Sequence, residues 1–152
     1  MAAAGSMGVL NSLKADYEKG AFEVIRHDLE YYILTNRAKL THMIEEKELE
    51  LEFCDLEPRV KMELTVKLSI LDSRILNPLS DAKQQLEEIR RFIWTEGVRI
   101  SGPPNQEDCA RTWVERYSRS WREYRLLAAL YVFEREKDYF LGLLDDYARN
   151  SG

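Results

Sequence analysis

Apolar residues in this chain recur mostly at steps of three and four. Leu10, Leu13 and Tyr17 lie one or two helical turns apart, with Gly20 as a stop or hinge. Phe22, Ile25, Leu29, Tyr32 or Ile33, Leu40 and Met43 or Ile44 keep the same spacing. That is the stripe of a helix lying on a core, and it predicts a helix from Ala21 to about Lys47, interrupted by polar Asn36.

The pattern is ambiguous between 48 and 70. "ELELEF" and "RVKMELTVKLSI" alternate apolar with polar residues, as a half-buried strand does, so a short β-hairpin within 48–70 is one reading. The other is helical. Val60, Leu64, Leu68, Leu71 and Ile75 share one helical face, and Met62, Val66 and Ile70 form a second apolar strip opposite. Pro58 suits the first turn of a helix, where its absent N–H is not missed. The helical reading is preferred for Pro58 to Leu76, against the pull of β-branched Val60, Thr65, Val66 and Ile70.

Pro78 disfavours helical geometry at Asn77, and Ser80 or Asp81 is placed to cap the next helix. The core stripe of that helix reads Ala82, Leu86, Ile89 and Ile93, with Gly97 as its expected stop. "VRISGPPNQED" is a loop, and Asn105 with Asp108 resembles a capping pair for a last long helix. There Ala110, Val114, Tyr117, Trp121, Tyr124, Ala128 and Tyr131 recur at alternating steps of four and three, with Trp113 alongside. This stripe is expected to face the core. Past Tyr131 the phase moves to Phe133, Phe140, Leu144 and Tyr147, which predicts a bend near Glu136 to Asp138 or a change of packing partner.

Only 7 glycines and 4 prolines occur in 152 residues, too few for the many tight turns of an all-β chain. The expected fold is therefore all-α, a single bundle of four to five helices with two long helices. It would fill one domain over 8–148, with 1–7 as a flexible or vector-derived N-terminus (Met7 being the start) and 149–152 as a flexible end. Net charge is −5, from 22 basic and 27 acidic residues. No global attraction to nucleic acid or an anionic membrane follows from that balance. The longest apolar run, Leu126 to Phe133, is far too short to cross a bilayer, so no membrane insertion is expected. Cys54 and Cys109, flanked by acidic residues and without a secretion signal, read as reduced, unreactive thiols of an intracellular protein, cytoplasmic or nuclear.

Candidate chemistry is sparse. His27 and His42 lie fifteen positions apart, and neither follows a glutamate at the spacing of a di-iron helix pair. The glutamates from Glu45 to Glu52 lack the glycine and spacing of a calcium loop and read as a solvated face. No phosphate loop or nucleophile motif occurs, so no enzyme activity, cofactor or metal is expected. Arg111, Arg119, Arg122 and Arg125 share one face of the last helix, with Glu115 among them. They read first as a solvated face with internal Glu–Arg pairs and second as a phosphate or acidic-peptide contact. The aromatic surplus and the two-sided segment containing Met62, Val66 and Ile70 point to a non-catalytic interaction or scaffold module, a subunit of an assembly or a homodimer. Its partner would be another protein chain or a second copy. Binding of nucleic acid or a phosphoprotein through the arginine face is the alternative.

Overall fold

The computed structural model describes residues 2–50 and 57–151, with side-chain surroundings defined for 8–46 and 57–145. Eight helices make up the described chain: α1 (Ala2–Glu18), α2 (Glu23–Thr35), α3 (Arg37–Glu50), α4 (Pro58–Ser73), α5 (Pro78–Ile100), α6 (Gln106–Arg116), α7 (Ser118–Arg135) and α8 (Lys137–Ser151). The all-α expectation holds, and the count of four to five helices is too low. No strand occurs among the described residues. The hairpin considered for 48–70 is unsupported: α4 occupies its second half and 51–56 lie outside the described residues.

Three bends account for the larger number. At Asn36, Tyr117 and Glu136 a single turn residue separates consecutive helices, yet the i→i−4 ladder crosses each residue. Asn36 N–H donates to Tyr32 O at 3.1 Å and its carbonyl accepts from Leu40 at 2.8 Å. Tyr117 likewise bonds Trp113 at 2.8 Å and Trp121 at 3.0 Å, and Glu136 bonds Val132 at 2.9 Å and Phe140 at 3.2 Å. Local side chains compete with the ladder at two of these points. Asn36 Nδ2 donates to Tyr32 O at 2.8 Å, and the Ser118 and Ser120 hydroxyls donate to the carbonyls of Val114 and Tyr117, a back-bonding that bends helices. The bend expected at Glu136 to Asp138 is present, whereas those at Asn36 and Tyr117 divide what the stripes presented as two long helices.

Punctuation follows local chemistry, with two corrections. Asn77, not Ser80 or Asp81, caps α5: its side chain accepts from Ser80 N–H at 3.3 Å, with Pro78 in the first turn. Gly97 does not stop α5, which runs on to Ile100 and ends at Ser101 in the left-handed region, φ 57°. A side chain at Gly97 would meet Pro104 Cδ at 3.3 Å, so the glycine serves a close approach of the following loop. Gly20, at φ 78°, is the turn residue the sequence suggested. Asn105 caps α6 as expected, accepting from Asp108 N–H at 2.9 Å.

The helices gather into two compact units, Met1–Leu76 with Leu126–Gly152, and Asn77–Arg125. In the first, α8 packs on α2, α3 and α4, and α3 packs on α4. The stripe through Phe22, Ile25, Leu29, Tyr32, Ile33 and Leu40 is buried as predicted, and Val132, Phe133, Phe140 and Leu141 of the same unit are wholly buried with it. Phe133 and Phe140 stack at 6.2 Å. Polar groups at the edge are satisfied. The Tyr32 hydroxyl bonds the Ser69 hydroxyl and lies 2.7 Å from Ser73 Oγ, and Glu136 accepts from Arg26 Nε at 2.6 Å and Tyr17 OH at 3.1 Å. Those bonds to Glu136 raise the Arg26 pKa, and Tyr17 is raised by burial first and by Glu136 second.

In the second unit, α5 packs on α6. Arg122 bridges α7 to α5, its guanidinium 3.2 Å from Gln85 Oε1 and 3.6 Å from Asp81, while Arg125 lies 4.0 Å from Asp81 and 4.8 Å over the Trp121 ring. Trp113 and Trp121 meet edge to face at 5.8 Å. Trp113 is buried, and Ala128 of the same stripe is wholly buried in the first unit, but the stripe expected to face a core along its length does so only in part: Val114 and Tyr117 are exposed, and Ala110, Trp121, Tyr124 and Tyr131 are half-buried.

Candidate interaction surface

α5 is the longest helix and has no buried residue. The positions read as its core stripe face outward or lie half-covered: Ala82 and Leu86 are exposed, Ile89 and Ile93 half-buried. The physical reason lies in helical phase. Asp81, Gln85 and Phe92, turned away from that stripe, make the contacts to α6 and α7. What remains outside is an apolar row: Leu79 is 82% exposed, Leu86 49%, Trp94 72%, Val98 60% and Ile100 48%. Hydrophobic residues scattered singly over a surface need no explanation, but five exposed on one helix, a tryptophan among them, do.

On the inner side of α5, Phe92 and Tyr117 touch with ring centroids 5.6 Å apart and divide two open clefts. One, of about 410 Å³, is lined by Trp113, Trp121 and the paired Glu88 and Arg91; the other, of about 370 Å³, is lined by Cys109, Glu96, Arg99 and Arg116. Charges in the second cleft neutralise one another. Arg99 donates through Nε and Nη2 to Glu96 Oε2 at 3.0 and 2.7 Å, which holds the Glu96 carboxyl below and the Arg99 guanidinium above their ordinary pKa values. Cys109 is a buried free thiol, and Cys54 lies outside the described residues.

The candidate residues chosen from sequence are separated. Val66 and Ile70 are wholly buried in the first unit and Met62 is half-buried, so that strip is core. The strip opposite is the outward one, with Leu64, Leu68 and Leu71 exposed. Each arginine of the proposed face has an acidic neighbour: Glu107 and Asp108 for Arg111 at 3.7 and 3.5 Å, Glu123 for Arg119 at 3.2 Å, and Asp81 for Arg122 and Arg125. His27 and His42 each lie beside a glutamate four positions away, at 3.4 and 3.0 Å. Among the described residues no group of three or more His, Cys, Asp or Glu could hold a metal ion, and no helix is long and apolar enough to cross a membrane.

Sequence reasoning missed Trp94 and Val98 as surface residues and read Leu86 and Ile93 as core. A signal was there: Leu79, Leu86, Ile93 and Ile100 fall at steps of seven, a heptad row that suits pairing with another helix as well as burial in a bundle. The chain matches no known protein family, and comparison with curated proteins and with solved structures finds no match.

Proposed function

We propose that the chain is a non-catalytic protein–protein interaction module, a subunit of an assembly, whose binding surface is the outer face of α5. One observation carries this reading: a 23-residue helix has no fully buried residue and leaves Trp94 72% exposed among four exposed aliphatic residues. Interface centres favour aromatic side chains, and covering apolar area is worth about 25 cal/mol per Å². The second reading, a phosphate contact through Arg111, Arg119, Arg122 and Arg125, has less behind it, because each of those guanidiniums already has a carboxylate within 4.0 Å. A buried free thiol at Cys109 supports placement inside the cell.

The test is amide hydrogen exchange on the assembled protein and on the same protein after dilution, with Leu86→Asp as control. Assembly is expected to protect α5, and the variant to lose that protection while its circular dichroism is unchanged. If the variant keeps every association of the wild type, the surface lies elsewhere and the reading fails.

A further inference from the structure

Over its described side chains, 8–18, α1 rests on the first unit through its last two turns. Leu13 is buried there and Asp16 and Tyr17 are half-buried, while Val9 and Leu10 stand 41% and 58% exposed. Among the described residues no other helix packs broadly along α1. α2 is seated very differently: it buries Ile25, Leu29, Tyr32 and Ile33 and packs on α8.

Tyr17 supplies three of the contacts that hold α1. Its hydroxyl donates to Glu136 Oε2 at 3.1 Å, its ring meets Tyr131 edge to face at 5.6 Å, and the Arg135 guanidinium lies 5.5 Å over the same ring. All three partners lie at the corner where α7 turns into α8. Glu136 uses its two oxygens separately, because Oε1 takes Arg26 of α2 at 2.6 Å while Oε2 takes Tyr17. Lifting Tyr17 away therefore leaves the bond between α2 and the corner in place. The freed oxygen belongs to a side chain that is already 20% exposed, so water can replace the tyrosine.

The joint behind this latch suits rotation. Lys19 N–H bonds back to Ala15 O at 3.1 Å and Ala21 N–H to Asp16 O at 2.9 Å, which closes the end of α1. Gly20 then takes φ 78°, with no atom within 4 Å of the place a Cβ would occupy. Glycine moves between dihedral regions at little cost. Phe22, buried two residues on, fixes the far side of the joint.

We propose that α1 is a hinged strap, seated by Leu13 and latched by Tyr17 on Glu136, which opens about Gly20 while the rest of the first unit stays folded and so uncovers Tyr131, Arg135 and Glu136. The closed strap turns only Leu13 and Tyr17 inward and leaves Val9 and Leu10 outside, so closing gains little. Segments with few buried contacts open most readily. This inference is independent of the reading of α5, which lies in the other unit.

The test is amide exchange by mass spectrometry on the full chain, with tryptic cleavage at Lys14 and Lys19 as a second readout. Wild-type α1 is expected to exchange at least about a hundredfold faster than the buried part of α8. Tyr17→Phe removes the latch bond and keeps the ring; it is expected to speed exchange and cleavage in α1 about fivefold, with α2 and α8 at wild-type rates. Leu13→Ala is expected to speed them at least about tenfold although alanine is the better helix former, which separates loss of seating from loss of helicity. Exchange of α1 as slow as that of α8 would overturn the proposal, because α1 then opens only when the whole unit unfolds. Fast exchange that neither variant changes would overturn it too, since α1 is then a fraying helix without a latch. A Tyr17→Phe effect that spreads to α2 and α8 would have the same consequence, the opening then being global.

Discussion

The two units contain similar helices and bury very different amounts of them. Among the described residues, sixteen of the eighteen buried hydrophobic ones belong to Met1–Leu76 with Leu126–Gly152, and two, Cys109 and Trp113, to Asn77–Arg125. In the first unit α8 lies among three helices, so a side chain such as Phe140 or Leu141 is enclosed from several directions. In the second, α5 rests on neighbours along one face only. Folding stability in this protein therefore comes chiefly from the first unit, while the second keeps apolar surface uncovered and holds its layers together with rings, caps and ion pairs. An apolar stripe has a different fate in the two places: in the first it is core, in the second it stays largely uncovered.

The largest effect should come from the first unit. Phe140→Ala removes a ring with no exposure that stacks on Phe133, and the expected loss is about 3–5 kcal/mol, read from urea unfolding. The matching truncation outside, Leu86→Ala, should cost less than about 0.5 kcal/mol of monomer stability. A loss there as large as for Phe140 would erase the contrast. Next is Tyr32→Phe, which strips a buried hydroxyl from Ser69 and Ser73 and should cost about 1–2 kcal/mol by the same measurement.

Caps give a smaller effect and sharpen the comparison inside the second unit. Asn105→Ala, which removes the acceptor for Asp108 N–H, should lower stability by about 1 kcal/mol and speed amide exchange at the start of α6. In a unit with little core, that cap is a larger share of what holds the helix than it would be in the first.

The smallest expected effect is electrostatic. Glu134 lies 2.7 Å from Lys67 and 3.2 Å from Lys137, and those hydrogen bonds hold its carboxyl below the ordinary pKa. A depressed folded-state pKa means a contribution fully present above the unfolded value, near 4.3, and lost as pH falls through the folded value. Because the side chain is half-exposed, its worth is under about 1 kcal/mol. The difference in urea midpoint between wild type and Glu134→Gln should accordingly be small at neutral pH and shrink toward zero in acid.

Much of the architecture was legible because burial and helical period coincide in the first unit. Phe22 to Leu40 kept its phase since one face meets a continuous core, and the shift to Phe133, Phe140 and Leu144 announced the bend at Glu136. The stripe from Ala110 to Tyr131 misled for the opposite reason. It is regular along the chain, but the helix is interrupted at Tyr117, where Ser118 and Ser120 bond back to carbonyls, and the stripe runs from one compact unit into the other, so its residues are covered unequally. Likewise α4 has two apolar strips of nearly equal strength, and nothing local decides that Val66 and Ile70 go inward while Leu64, Leu68 and Leu71 stay out.

What the sequence by itself determined is helical identity and its punctuation: Gly20, Pro58, Pro78 and Asn105 act through backbone dihedrals and short-range hydrogen bonds, which depend on a few neighbouring residues. Tertiary structure alone decided which apolar faces are covered, because coverage is a property of pairs of elements distant along the chain. The outward row of α5 is the clearest case, since a seven-residue repeat suits a core as well as an outer face, and only the placement of α6 and α7 on its other side left it uncovered.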